Sequence, residues 1–246
     1  MNETINIIKQ HRSIRQYLDK DITEDIIDEI LKSAQAMPNS INGQQTSVIV
    51  VRDKEKKKKL SEITGNQVYV DKAPVFLVFV MDFYKTNLGA EKNGRKQIIH
   101  ESVEGTAAGV FDAGIAMGAA IIAAESLGLS VVPIGGIRKN PEEVIEILEL
   151  PEFTYPVCGL VLGYAENNSK QKPRLPFETF KHVDKYHKET LKADIDSYDE
   201  YMEKYLKEIG REQEGNWSNL TSSLYQTVYY PKVKETMEKQ GFKNDK

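Results

Sequence analysis

Residues 109–124 read GVFDAGIAMGAAIIAA, and this apolar stretch decides the fold of the chain. Its most apolar part, Ala113–Ala124, has helical spacing and is flanked by the acidic residues Asp112 and Glu125. The 12 positions between these acids fall short of the about 20 apolar residues that a membrane-spanning helix needs. The stretch therefore predicts a buried helix of a globular protein.

The same helix is rich in glycine and alanine, so another helix can approach its surface closely. Two interpretations of this composition stay open. The small residues can serve core packing within the chain, or they can form a subunit interface where the helix meets its own copy across a two-fold axis.

Four short runs of β-branched or apolar residues predict strands around this helix. They are Ser47–Val51, Val75–Met81, Val131–Gly135 and Val157–Gly163. Helical stretches separate most of them. Thr23 can cap one helix that stops at Met37 and Pro38, and Asn140 with Pro141 can begin another that runs to about Leu150. The pattern predicts an α+β or α/β sandwich.

The last third of the chain changes character. From Glu178 onward charged residues, tyrosines and helical spacing dominate, as in DSYDEYMEKYLKEIG at 196–210. No strand-like run of comparable strength follows Gly163. We therefore expect an appended helical arm and not a second core.

Charge and cysteine content narrow the class of function. The net charge of -4 and the pI near 5.7 argue against nucleic-acid binding, which needs a basic surface. The run Lys54–Lys59 is interleaved with acids and is interpreted as a solvated helix face. Cys158 is the single cysteine, so no intrachain disulfide can form, and the N-terminus lacks a signal sequence. We expect cytoplasmic residence, no membrane partner and small-molecule ligands.

Two further residue types carry no predicted chemistry. Cys158 lies in a predicted apolar strand, which favours a structural role over a nucleophile. The histidines His100, His182 and His187 lack metal-ligand spacing, so no metal site is predicted.

Three distant segments concentrate cations and flexible backbone in predicted loops. They are HRSIR at 11–15, PIGGIR at 133–138 and KPRLP at 172–176. Arginine binds phosphate oxygens with two donors and lysine adds a point charge, while paired glycines let backbone approach a flat ring. Together the segments suit a phosphate monoester that carries a ring. Taken singly, each segment is better explained by ordinary structure, with HRSIR as a helix end, IGG as a strand-ending turn and KPRLP as an exposed turn.

The combination of motifs resembles the nitroreductase superfamily, in particular its branch of NADPH-preferring FMN oxidoreductases with a helical C-terminal extension. The resemblance rests on HRSIR, TGNQ at 64–67, AAESLGL at 123–129, IGGIR at 134–138, KPRLP and NWS at 216–218, in that order. It covers nearly the whole chain. It implies an α+β sandwich with a central sheet flanked by helices, as a single domain with a core over about 1–178 and a helical extension over about 179–246. It further implies a homodimer with FMN at the subunit interface.

The resemblance also implies which residues bind the cofactor. The phosphate and the ring edge would be held by His11, Arg12, Ser13, Arg15, Gln67, Lys172 and Arg174. Backbone at Pro133, Ile134, Gly135 and Gly136 would face the isoalloxazine. Ser40 would reach the cofactor from the facing subunit, although its loop, MPNSINGQQTS, departs from the serine-rich loop usual in this branch.

A further implied contact concerns the electron donor. Related enzymes place basic residues just before the tryptophan-serine pair, and here GREQEGNWS offers Arg211 for the 2′-phosphate of NADPH. Glu212 and Glu214 dilute its charge, so we expect modest NADPH preference with NADH serving nearly as well. Arg211 as a solvated residue after a helix-ending glycine is the alternative.

The function implied is a ping-pong two-electron reduction, with FMN carrying the chemistry and no catalytic side chain required. Nitroaromatics, quinones, free flavins, chromate and azo dyes would be acceptors. Two rival functions stay open: a reductase of a different specific metabolite, and a non-catalytic flavin-binding or redox-sensing dimer.

Overall fold

The computed structural model describes residues 2–167 and 169–246. The helices are α1 Glu3–Lys9, α2 Glu24–Gln35, α3 Lys54–Ile63, α4 Val68–Lys72, α5 Tyr84–Lys92, α6 Val103–Ser126, α7 Pro141–Leu148, α8 Leu191–Glu208, α9 Trp217–Tyr225 and α10 Lys232–Lys239. The strands are β1 Thr46–Val51, β2 Val75–Asp82, β3 Ser130–Ile134 and β4 Thr154–Gly163. This mixed composition confirms the predicted α+β class.

The chain forms two compact units. The first consists of Met1–Lys170 together with Tyr230–Lys246, and the second of Gln171–Tyr229. The last segment of the chain thus belongs to the first unit, where Met237 and Phe242 are buried with Met81, Phe83 and Tyr155. The single domain with a boundary near residue 178 stays a prediction.

The four predicted strands form one antiparallel sheet of order β1-β2-β4-β3. Every residue of β2 is buried, as expected for a central strand covered on both faces,. Strand β4 begins at Thr154, three residues earlier than the sequence predicts, because Tyr155 and Pro156 pair with Met81 and Val80 beyond an irregularity at Phe79/Val80. Ile134 of β3 pairs with Gly159 of β4, which places the glycine turn after β3 at one end of the sheet.

Helix α6 is the central helix of the first unit and is 24 residues long. Ser102 caps its N-terminus by accepting a hydrogen bond from the Gly105 amide at 3.0 Å. By length and composition α6 would suffice to cross a membrane, because the helix extends well beyond the 12 apolar residues between its two acids. Its Ala116, Ala120 and Ala124 are nevertheless buried in the core with strand residues, which confirms the predicted packing role.

The opposite face of α6 carries apolar residues in solvent. Val103, Val110 and Phe111 are 60%, 41% and 69% exposed. On the inner face, a Cβ added at Gly109 would lie 2.5 Å from the Met81 sulfur, so a larger residue there would require Met81 to move. The small residues therefore serve intrachain packing on one side, and the interface interpretation concerns the other side.

Three local predictions need correction. Thr23 precedes α2, but its side chain makes no capping hydrogen bond. Lys57 of α3 is buried and not solvated, because its Nζ donates to the carbonyl of Ala73. This burial lowers the pKa of the Lys57 amine. Helix α7 begins at Pro141 as predicted, but Asn140 makes no side-chain cap. Its Oδ1 instead accepts a hydrogen bond from Lys232 at 2.6 Å.

The second unit is a small helical assembly. Tyr198, Met202 and Leu206 of α8 are buried, and Trp217 of α9 packs against them. The rings of Tyr198 and Trp217 meet edge to face at 6.0 Å. This unit matches the helical character predicted for the last third of the chain.

Candidate functional site

The HRSIR segment follows α1 and lies along the free edge of β3. Ser13 pairs with Val131 in a parallel bridge, and the Ile14 amide donates to the Val131 carbonyl at 3.2 Å. Ile14 is buried, whereas His11, Arg12 and Ser13 are half-buried and Arg15 is exposed. The buried isoleucine thus anchors the segment and leaves its polar side chains at the surface.

His11 contacts helix α6 through the side chain of Glu125. Its Nδ1 lies 2.6 Å from Oε1 of Glu125, and the two side chains are 26% and 12% exposed. Glu125 and Arg12 also line a small cavity of about 170 Å³. Sequence reasoning missed Glu125 as a site residue, although it is one of the two acids that bound the apolar stretch of α6.

The turn after β3 contains two glycines with different surroundings. A Cβ at Gly136 would lie 2.6 Å from the Thr64 carbonyl oxygen and 3.0 Å from Gln67 Nε2. A Cβ at Gly135 would meet only the Arg138 guanidinium, at 3.4 Å. Gly136 is therefore required by packing within the chain, whereas the Gly135 backbone is open on its Cβ side.

Gln67 connects this turn to the HRSIR segment. Its Nε2 donates to the Thr64 carbonyl at 2.8 Å, and its Oε1 accepts from the Tyr69 hydroxyl at 2.6 Å. The Arg15 guanidinium in turn lies 6.0 Å from the centre of the Tyr69 ring, within the range of a cation–π contact. The first unit thus brings together Arg15, Gln67 and the glycine turn.

Tyr17 and Cys158 flank this region without offering reactive groups. The Tyr17 hydroxyl donates to the Ile14 carbonyl at 2.6 Å, and burial raises the pKa of its phenol. Cys158 is half-buried in β4, and burial raises the pKa of its thiol despite the nearby Arg138. A thiol that resists ionisation is a poor nucleophile, which supports the structural role predicted for Cys158.

Arg138 ends the glycine turn and is committed to the chain itself. Its Nη1 donates to the Val157 carbonyl at 2.5 Å, and its guanidinium lies 5.7 Å from the centre of the Tyr230 ring.

The loop that carries Ser40 is held by a buried carboxylate. Both oxygens of Asp112, which is 3% exposed, accept from the Ser40 amide at 3.1 Å, and Oδ2 also accepts from Gln45 Nε2 at 2.6 Å. Three non-glycine residues of the loop, Ile41, Asn42 and Gln44, have positive φ angles near 50°. Non-glycine residues with positive φ angles are strained, so the hydrogen bonds to Asp112 offset the conformational free energy that this loop costs. Asp112 was also missed by sequence reasoning.

Lys172 and Arg174 belong to the second unit. Arg174 Nη1 donates to the backbone carbonyls of Lys172 and Pro173 at 2.7 and 3.3 Å. The Tyr198 hydroxyl also donates to the Pro173 carbonyl, at 2.9 Å. This fixes the KPRLP backbone on α8.

Arg211 is paired within the same unit. Its Nε donates to Oε1 of Glu214, with side-chain exposures of 55% and 28%. Nearby, the amide and hydroxyl of Ser218 both donate to the Asp199 carboxylate. Within residues 2–167 and 169–246, no group of three or more His, Cys, Asp or Glu side chains is arranged to hold a metal ion.

Comparisons with known proteins agree with this geometry. Residues 8–164 match the model of the nitroreductase family, and residues 172–245 match that of the nitroreductase family C-terminal domain. The chain is 46% identical to "FMN reductase [NAD(P)H]" of Bacillus subtilis, with both chains covered completely. It is 36% identical to "FMN reductase (NADPH)" of the same organism, covering 98% and 99% of the two chains. The solved structure of NfrA2 from B. megaterium superimposes with a TM-score of 0.97 at 48% identity, over 100% of each chain.

Proposed function

This chain belongs to the nitroreductase family and is an FMN-dependent NAD(P)H oxidoreductase, and we propose that it reduces its acceptors by two electrons at a time in a ping-pong cycle. The observation that carries the proposal is the contact series Arg15–Tyr69–Gln67–Gly136 in the first unit. It gathers three of the cofactor motifs that are far apart in sequence.

The residues present fit an FMN molecule. Arg12 offers permanent charge for a phosphate, and His11 and Ser13 add donors beside it. The turn offers backbone without a side chain at Gly135, where a Cβ would contact only the Arg138 guanidinium. A ring can approach such backbone closely. We therefore assign the phosphate to the HRSIR side and the ring to the backbone of Pro133–Gly136 and the amide of Gln67.

Bound FMN supplies the redox chemistry, and the chain supplies position and charge. We assign the exposed guanidinium of Arg15 to stabilising negative charge at the ring edge. Both polar atoms of the Gln67 amide are hydrogen-bonded within the chain. The side chain is therefore already ordered before FMN binds, which reduces the conformational entropy lost on binding. Lys172 and Arg174 remain our prediction for additional phosphate contacts.

We propose a homodimer in which Ser40 serves the cofactor site of the facing subunit. Two observations support it. Apolar side chains of α6 such as Phe111 face solvent, and between them and the Ser40 loop lies a groove of about 650 Å³ lined by Ala107, Phe111 and Ile115. A monomer rarely leaves a large apolar patch uncovered. Light scattering on the flavin-loaded protein should give twice the mass of one chain, and a monomer with FMN bound would contradict shared sites.

Free flavins, nitroaromatics and quinones are the proposed acceptors. Two relatives bear the name FMN reductase, which supports free flavin as one of them. One of these names gives NAD(P)H and the other NADPH as donor, so both nucleotides are candidates for this chain. Cytoplasmic residence without nucleic-acid or membrane partners stays a prediction from the charge balance and the single cysteine, to be checked by cell fractionation.

The decisive experiment is an anaerobic absorbance spectrum of the purified protein. We expect a yellow protein with about one FMN per chain, bleached by NADPH and by NADH, and recoloured when an acceptor is added. Flavin that is bound tightly but never bleached by either nucleotide would indicate a flavin-binding sensor instead. FAD, or no flavin after reconstitution, would contradict the cofactor assignment.

A further inference from the structure

The AAESLGL motif has no role in the function described so far, yet its acid contacts a proposed cofactor residue. Glu125 lies in the last turns of α6, and its Oε1 is 2.6 Å from Nδ1 of His11. Its other carboxylate oxygen, Oε2, is buried and has no hydrogen-bond partner in the described part of the chain. Glu125 is thus a half-buried carboxylate, 12% exposed, with one oxygen hydrogen-bonded and one buried oxygen without a partner among the described residues.

Such a carboxylate opposes folding in two ways. Burying a charge without complete hydrogen bonding is costly. In addition, the C-terminal end of a helix carries partial negative charge, which disfavours a carboxylate there. No Lys or Arg of the described chain forms an ion pair with Glu125. The favourable contact that Glu125 does make is the one with His11.

This contact fixes the orientation of the imidazole. Because a carboxylate only accepts, the proton it binds is the one on Nδ1, and Nε2 then lies on the far side of the ring. Within residues 2–167 and 169–246, Nε2 has no hydrogen-bond partner. The imidazole can therefore stand between Glu125 and a phosphate oxygen, with Nδ1 on the carboxylate and Nε2 toward the phosphate.

We propose that Glu125 is a positioning residue that orients His11 toward the phosphate of the cofactor. The inference rests on the proposed function, since it concerns the FMN site. It also predicts whether removal of Glu125 tightens or weakens FMN binding. By charge alone, removing an acid beside an anion site should tighten FMN binding. By positioning, the same removal should weaken it.

The test uses apoprotein and the isosteric variant Glu125→Gln. Titration by flavin fluorescence should show an FMN dissociation constant raised about tenfold, the size of effect seen when the partner that orients a binding imidazole is lost. Riboflavin lacks the phosphate, so its dissociation constant should stay within about twofold. Glu143→Gln serves as the matched control, because it removes one exposed acid of α7 and should change neither constant.

Two further measurements separate positioning from a merely structural role. The apoprotein of Glu125→Gln should melt no lower than the parent, because the variant keeps the side-chain shape and removes a negative charge from the C-terminal end of α6,. Glu125→Met gives the same comparison if the amide variant folds poorly. In addition, Glu125→Gln combined with His11→Ala should bind FMN no more weakly than His11→Ala alone, since the two residues act as one unit.

The inference is overturned if FMN binding by Glu125→Gln is unchanged or tighter, if riboflavin loses as much affinity as FMN, or if the two substitutions add. These outcomes leave the proposed function intact. If the parent protein fails to bind FMN, the proposed function itself is wrong.

Discussion

The two glycines after β3 allow the site assignment to be tested with a matched pair of substitutions, Gly136→Ala and Gly135→Ala. In Gly136→Ala the new methyl group would lie 2.6 Å from the Thr64 carbonyl oxygen. That oxygen cannot swing aside as a side chain would, because the Thr64 amide is bonded to the Leu60 carbonyl at 3.0 Å and its hydroxyl to the Ser61 carbonyl at 2.9 Å. The turn must therefore shift.

Overpacking of this kind costs about 1 to 3 kcal/mol of stability. For a chain of this size the loss corresponds to a melting temperature lower by roughly 2 to 12 °C. The contact with Gln67 Nε2 at 3.0 Å would also displace a proposed cofactor residue. Gly136→Ala should therefore lose both stability and FMN affinity.

Gly135→Ala should separate the two effects. Its methyl group would meet only the Arg138 guanidinium at 3.4 Å, which is an ordinary contact, so apoprotein stability should change by less than about 0.5 kcal/mol. If the flavin ring lies on this backbone, the methyl group should nevertheless weaken FMN binding by about tenfold or more.

The assays are thermal melting of the two apoproteins and flavin fluorescence titration. A Gly136→Ala apoprotein as stable as the parent would refute the packing argument. Unchanged FMN affinity in Gly135→Ala would refute the assignment of this backbone to the ring.

Three further predictions follow from the same structure. Arg12→Ala combined with Arg174→Ala should weaken FMN binding at least about a hundredfold, since each charge-assisted bond contributes about 1.5 to 3 kcal/mol; unchanged flavin content after purification would count against the phosphate contacts. Because Glu214 pairs with Arg211, Glu214→Gln should lower the Michaelis constant for NADPH by up to about fivefold, the limit for an exposed ion pair. Arg211→Ala should raise the Michaelis constant for NADPH, and both variants should change that for NADH little. Equal effects on both donors would exclude Arg211 as the 2′-phosphate contact. Burial lowers the pKa of His100 below 6.5. As the pH falls through 6.5, the unfolded chain therefore binds more protons than the folded one, and the protein loses stability. In melting curves between about pH 7.5 and 5, His100→Gln should lose less stability than the parent, and an equally steep loss in the variant would contradict this reasoning.

The strands were predictable because each is a continuous β-branched or apolar run, and a buried strand needs little else. The start of β4 was not, since Tyr155 and Pro156 join the sheet only through their pairing partners on β2. Lys57 illustrates the same limit: a lysine in a charged run predicts solvent, and only the fold shows that its amine reaches the Ala73 carbonyl. The cofactor motifs were accessible through their resemblance to a family, whereas the contacts that orient them were not.

Asp112 and Glu125 show the difference between what the sequence predicts and what the folded chain brings into contact. In the sequence the two acids mark the ends of an apolar run, and they indicate only the length of a helix. In the structure the first binds the Ser40 loop and the second binds His11, about 20 Å apart along the axis of α6 at about 1.5 Å per residue. Between them α6 is pinned to the sheet by Ala116, Ala120 and Ala124. Because both acids sit on one rigid element, the spacing between the loop and the HRSIR segment is set by the helix and not by the loops themselves. If the dimer pairs the Ser40 loop of one subunit with the cofactor of the other, substitutions that loosen α6 between the acids should weaken both the Ser40 contact and the His11 contact, and FMN affinity measured by fluorescence titration should fall.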